Sequence, residues 1–165
     1  MGMSGNFAPI TSTELSRLKE NTTLVIDYLY PNDGEDEVPN LLNIDKDWHG
    51  IHFMLAGAAD DGVGPLSLAV LGGEEFGEDL GMGQARYLTP EQVKEISIAL
   101  CALGETEFRA RFDPQAMNDA EIYPTVIWLR DGQDALNYLT RSYLQLVTFY
   151  EETAAVGSGA ILWIS

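Results

Sequence analysis

Three side chains in one short segment have the types and spacing of a metal centre. Asp45, His49 and His52 are separated by four and three residues, which on a helix brings them to one face. Two imidazoles and a carboxylate suit a divalent transition metal and would leave a coordination position open for catalysis. The competing reading makes Asp45 the helix cap and His52 a core histidine, on the face it shares with Trp48, Ile51 and Leu55. The same segment is an incomplete calcium loop, because its twelfth position is Ala56 where a bidentate glutamate is needed. No metal and no cofactor is assigned.

Other groups offer weaker chemistry. Gly81-Met82-Gly83-Gln84-Ala85-Arg86 could cradle an anion on its backbone amides, with Arg86 adding charge, but it lacks both a dinucleotide fingerprint and a Walker lysine. Glu121, beside Tyr123 and Pro124, has an apolar setting that would raise a carboxyl pKa, or it closes a salt bridge to Arg109 or Arg111. Cys101 is the only cysteine, so an internal disulfide is excluded. Its place after Ile98, Ala99 and Leu100 predicts a buried, inert thiol. No Gly-x-Ser-x-Gly elbow occurs, and two histidines three residues apart do not make a Ser–His–Asp triad.

These residues need elements to position them. Residues 3–10 have strand-like composition. Thr11-Ser12-Thr13-Glu14 fits a capping box opening a helix over 12–20, and an apolar helical stretch at 24–30 stops at Pro31. The acidic 32–40 segment reads as a surface loop. Helical spacing of Trp48, Ile51, His52 and Leu55 predicts a helix ending at Gly57. A short helix follows at 65–71, then a glycine-rich loop at 79–83 and an extended piece at 85–88. Thr89-Pro90-Glu91-Gln92 is the clearest helix start, with the cap, the proline at the first position and the closing glutamine all in place. That helix runs to about 103 and Gly104 ends it. Shorter helices are expected at 105–112 and 114–119, and a long one at 134–156, apolar on more than one face and hence central. Its aromatics Tyr138, Tyr143, Phe149 and Tyr150 are assigned to the core with Trp163. The apolar run 160–164 is expected to be a strand covered on both faces.

Composition limits the partners. The 165 residues hold 26 acidic and 9 basic side chains, a net charge of −17. Twelve of the carboxylates and a single base, Lys46, lie between residues 33 and 79. Nucleic acids and anionic membranes are therefore excluded as partners, and no stretch is long and apolar enough to span a bilayer. A basic protein is the partner this field favours. The competing reading is that the acidity only keeps the protein soluble. The first residues, Met1 to Asn6, lack the charged leader and apolar run of a signal peptide, so a cytoplasmic location is expected.

Several blocks in register resemble the YfbM-like family of uncharacterised bacterial proteins. They are Met1-Gly2-Met3-x-Gly5-x-Phe7, Asp45-Lys46-x-Trp48-x-x-x-His52-Phe53-x-Leu55-x-Gly57, Pro65-Leu66-Ser67-x-Ala69-Val70-Leu71-Gly72, Ala85-Arg86-Tyr87-Leu88-Thr89-Pro90-Glu91 and Glu121-Ile122-Tyr123-Pro124. His52 belongs to that pattern and His49 does not. The resemblance spans essentially the whole chain and implies a compact layered α/β domain. It implies no activity and no catalytic residues.

The fold expected is thus α+β: one helix-rich domain over residues 1–165, layered α/β/α, around a small mixed sheet that includes N-terminal and C-terminal strands. The leading functional expectation is a non-catalytic binding domain docking a basic protein through Asp33, Glu35, Asp36, Glu37, Asp60, Asp61, Glu74 and Glu75, with an immunity-like role as its most concrete form. The alternative is a ligand-binding domain or enzyme whose pocket lies near Trp48, His52, Gln84, Arg86, Tyr87, Glu121 and Tyr123.

Overall fold

The computed structural model describes residues 2–165; Met1, which begins the first family block, lies outside the described residues. Five strands form one sheet: β1 (Gly5–Ile10), β2 (Leu42–Asn43), β3 (Glu74–Asp79), β4 (Gln84–Leu88) and β5 (Gly159–Ile164), in the order β2-β1-β5-β4-β3. The small sheet expected as mixed is antiparallel at all four pairings. β1 and β4 do run parallel, but β5 inserts between them and opposes both, while β3 and β4 are joined as a hairpin that permits no other direction. The expected N-terminal and C-terminal strands are both present and pair side by side.

Side-chain alternation along the strands divides the core into two layers. Phe7, Leu88, Ala160 and Leu162 face α3 (Trp48–Ala56), α4 (Pro65–Leu71), α5 (Pro90–Ala110) and α8 (Gln133–Ala155). Ala8, Ile10, Ala85, Tyr87, Ile161 and Trp163 face α1 (Ser12–Glu20) and α2 (Val25–Leu29). Both faces of β5 are covered, as its unbroken apolar run requires. The expected α/β/α layering follows from these two faces. Two further short helices, α6 (Pro114–Asp119) and α7 (Ile127–Asp131), complete the larger layer.

Local signals set most helix ends. The Thr11 hydroxyl accepts from the Glu14 amide at 3.2 Å, while the Glu14 carboxylate turns to Arg17 instead of reaching back. The Thr89–Gln92 box closes in both directions, at 2.9 and 3.2 Å. Gly104, at φ 74°, interrupts α5 where the sequence puts a helix end; a residue with a Cβ would be strained there. The Tyr143 hydroxyl donates to the Leu100 carbonyl at 2.8 Å, and the Tyr143 ring stacks on Phe108 at 4.1 Å, so α8 holds both halves of the broken helix. The Tyr150 hydroxyl donates to the Ala69 carbonyl at 2.6 Å, tying α8 to α4.

α3 is enclosed on nearly every side. Trp48, Gly50, Ile51, His52, Met54 and Leu55 are all buried, the pattern of a helix inside the core. Gly50 is small because there is no room for more: a Cβ there would lie 2.6 Å from Trp128 Cη2 and 2.9 Å from Leu139 Cδ2. Alanine improves intrinsic helix propensity by up to about 1 kcal/mol, but overpacking a rigid core costs about 1–3 kcal/mol. Gly50→Ala is expected to lower stability by about 1–2 kcal/mol in urea unfolding. A Gly50→Ala protein as stable as the parent, or more so, would show that the packing around Trp128 is looser than described.

Candidate functional site

The sequence placed seven residues around one pocket, and the sheet separates them. Arg86 and Tyr87 are adjacent on β4 and therefore point to opposite faces. Arg86 lies in the cross-strand row of Phe7, Leu162 and Glu75, and Tyr87 in the row of Ala8, Ile161 and Glu74. Arg86 pairs with Glu75 at 3.1 Å. The Tyr87 hydroxyl bonds to Glu74, with Lys19 Nζ 4.7 Å from its ring centroid. Gln84 donates to the Gly77 carbonyl at 2.6 Å. Glu121 is exposed in a left-handed conformation (φ 53°). The two arginines considered for it go elsewhere: Arg109 bonds to Thr140 and Asn137, and Arg111 to the Met54 and Leu55 carbonyls at the end of α3.

Trp48 and Tyr123 do come together. Their ring centroids lie 6.1 Å apart, and the His49 ring stacks on Trp48 at 4.7 Å. Trp48 Nε1 donates to the Met3 carbonyl at 3.2 Å, and the Met3 amide donates to the Tyr123 hydroxyl at 3.0 Å. β1 can approach because Gly5 leaves the space: a Cβ there would sit 2.6 Å from Trp48 Cβ. This cluster pins the first strand to α3 and to the segment before α7.

His49 is the fastener of this cluster. Its Nδ1 accepts the Tyr123 backbone N–H at 2.9 Å, so the ring proton must sit on Nε2, which donates to the Ala59 carbonyl at 3.0 Å. Both nitrogens are committed. Asp45 is not on the helix face expected for it, because α3 begins at Trp48 and Asp45 lies in a preceding 3-10 turn at φ 47°. The three candidate metal ligands thus do not face a common point, and no group of three or more His, Cys, Asp or Glu able to hold a metal ion occurs among the described residues. The anion cradle is already filled from within: Asp79 Oδ1 accepts the Gly81 and Gly83 amides at 2.7 and 3.2 Å. Cys101 is exposed, not buried, because the buried stripe of α5 runs through Val93, Ile96, Ser97 and Leu100 and leaves the next position outside. Its thiol donates to Glu151 at 3.1 Å, which raises its pKa and suppresses the thiolate. Tyr138 is likewise exposed, contrary to its assignment to the core.

A family model described as a domain of unknown function (DUF1877) matches residues 1–163. The chain belongs to this family. It is 38% identical over 146 residues to Protein YfbM of Escherichia coli (strain K12), covering 82% of this chain and 81% of that protein. The crystal structure of YfbM from Escherichia coli, titled a protein of unknown function, is similar with a TM-score of 0.77 and 28% identity, over 98% of this chain and 99% of that one. Within this DUF1877 chain, the family-like blocks at residues 3–7, 45–57 and 121–124 meet in the cluster of Met3, Gly5, Trp48 and Tyr123.

His52 is 1% exposed and neither of its ring nitrogens has a hydrogen-bond partner among the described residues. Burial pushes its pKa down, His49 adds to that, and the backbone at Asp60 and Asp61 offsets it only in part, out of hydrogen-bonding geometry. Burial also lowers the pKa of His49. Both groups therefore favour the neutral form in the fold, so their stabilisation is complete above the ordinary value of 6.5 and is lost as pH falls below it. Asp47 opposes them: burial raises its carboxyl pKa above 3.8 despite the 2.5 Å bond from Ser142, so its contribution favours acid pH. His52→Leu separates these effects. At pH 7 its stability is expected within about 1 kcal/mol of the parent, because an unpartnered polar group is replaced by an apolar one. Between about pH 7 and 5 it is expected to lose less stability than the parent in urea unfolding. An equal loss in both proteins would contradict this account of His52.

Proposed function

We propose that the chain is a non-catalytic binding domain that docks a basic protein through its acidic surface, with an immunity-like, toxin-neutralising role as the most concrete form. One observation carries this reading. Asp33, Glu35, Asp36, Glu37, Asp60, Asp61, Glu74 and Glu75 are all exposed, and of these eight only Glu75 is in an ion pair with a described residue. A field left uncompensated within the chain is available to a partner.

The fold gathers part of this charge. β3 is an edge strand of the sheet, α2 packs against it, and the turn carrying Asp33 packs against α2. Glu74 and Glu75 point to opposite faces of that edge, through Tyr87 and Arg86 respectively. Asp60 and Asp61 stand in the loop between α3 and α4, in the other layer. The carboxylates of β3 also protect an open edge from pairing with another strand. Of the side chains that suggested chemistry, His49, Gln84, Arg86, Tyr87 and Tyr123 are engaged in bonds within the fold and His52 is buried, which supports the same reading. Among the described residues no helix is long and apolar enough to cross a membrane.

The test compares two immobilised proteins, the parent and a variant with Asp33→Asn, Glu35→Gln, Asp36→Asn and Glu37→Gln, as baits for proteins of the source cell. The parent is expected to retain a basic protein that the variant retains at least about tenfold more weakly, with binding falling steeply as salt rises. A partner held equally by both baits, or held without regard to salt, would contradict the proposal.

A further inference from the structure

α8 carries a second surface with the opposite character. Beside it runs a groove of about 550 Å³ whose apolar lining comes from Leu41, Leu42, Leu144 and Phe149. Its charged members are Arg141 and Glu152. A smaller hollow of about 200 Å³ continues it past Phe149 and Glu152 toward Pro9 and Val156. Leu144 is 43% exposed, an apolar side chain without a cover. Arg141 stacks over Tyr138 at 5.6 Å and has no ion pair among the described residues; Asp47, which it influences, is bonded instead to Ser142.

The order of these residues on α8 is nearly palindromic. Reading along the stripe gives Arg141, Leu144, Gln145, Thr148, Phe149 and Glu152. Reversing the helix about a point between Gln145 and Thr148 places Arg141 on Glu152, Leu144 on Phe149 and Gln145 on Thr148. Arg141 and Glu152 are eleven residues apart, about 16 Å along the axis at 1.5 Å per residue. Such a face complements itself: a two-fold axis brings each charge to its opposite twice and each apolar group to an apolar group.

Charge elsewhere points to the same occupant. At −17, two copies repel each other across most of their surface. The stripe of α8 that lines the groove holds one base, Arg141, and one acid, Glu152, and the facing segment Asn40–Asn43 holds neither. This is a face on which a second copy meets little net charge. Addition of a strand at the neighbouring sheet edge is disfavoured, since β2 has two residues and Pro9, further along β1, has no N–H to offer.

We infer that this groove is where a second copy of the chain docks, the two α8 helices antiparallel with Arg141 of each copy against Glu152 of the other. Asn40, Leu41 and Leu42 belong to the acidic stretch by position but carry no charge, and reversing Arg141 or Glu152 alters none of the eight carboxylates proposed to dock a basic protein, so the two proposals fail independently.

Sedimentation of the full chain is the experiment. The parent is expected to associate to twice its 18.1 kDa. Arg141→Glu and Glu152→Arg, each of which creates two like-charge contacts, are expected to weaken association by about tenfold or more. The double charge swap is expected to restore the affinity to within about threefold of the parent, whereas Glu95→Arg, on the exposed side of α5, leaves it unchanged. Circular dichroism confirms that each variant is folded. A parent protein that stays monomeric up to roughly 1 mM, a dimer indifferent to both single reversals, or a folded double swap that remains dissociated would each overturn the inference.

Discussion

The burial of α3 is the constraint on which the rest of this structure depends. A helix enclosed by the sheet, α4 and α8 has little access to water, so every polar group on it must be bonded within the protein or kept neutral. His49 meets that demand by accepting the Tyr123 amide and donating to Ala59, and Trp48 by donating to Met3. Arg111 satisfies the Met54 and Leu55 carbonyls at the helix end. His52 is the exception, buried without a hydrogen bond to any described residue. The same bonds bring β1, the loop after α3 and the segment before α7 to one place. Residues with the types of a catalytic centre are thereby consumed in holding three distant segments together.

The bonds around α3 leave the outer surface as the place where unpaired charge remains. What the interior bonds leave free is surface charge, and that charge is unevenly distributed. The edge marked by β3 and the loop after α2 are strongly acidic, while the exposed stripe of α8 is close to neutral and apolar at Leu144. A chain this acidic cannot associate with itself over its acidic side, and a basic partner has little reason to choose the neutral one. The two surfaces are therefore suited to different occupants by electrostatics alone.

Much of the fold was legible because local rules and tertiary packing agree. Thr11, Thr89 and Gly104 mark helix limits with chemistry that acts over a few residues, and the apolar run 160–164 could only be a covered strand. β3 was illegible for the opposite reason: Glu-Glu-Phe-Gly-Glu-Asp has one apolar side chain and a glycine, and becomes a strand through pairing with β4. α7 was missed because five residues after Pro124 give too short a pattern. The site was less legible than the fold. Helical spacing identified Trp48 and His52 as sharing a face, but spacing does not say that the face is sealed, nor that Asp45 precedes the helix. The partner of His49 is Tyr123, 74 residues away, and no local pattern carries that contact. The filling of the glycine cradle by Asp79 was within reach, since an aspartate two residues before a glycine commonly bonds to its amide.

The most direct test of the claim that the chemistry of α3 is structural is nitrogen NMR of the two imidazoles as pH is lowered. The account predicts that His49 keeps a single neutral tautomer, protonated at Nε2, at pH values below 6.5 where a free imidazole is already charged. Rapid exchange between its two tautomers, with titration at 6.5, would mean that the bonds to Tyr123 and Ala59 do not hold it and that His49 is free for other work.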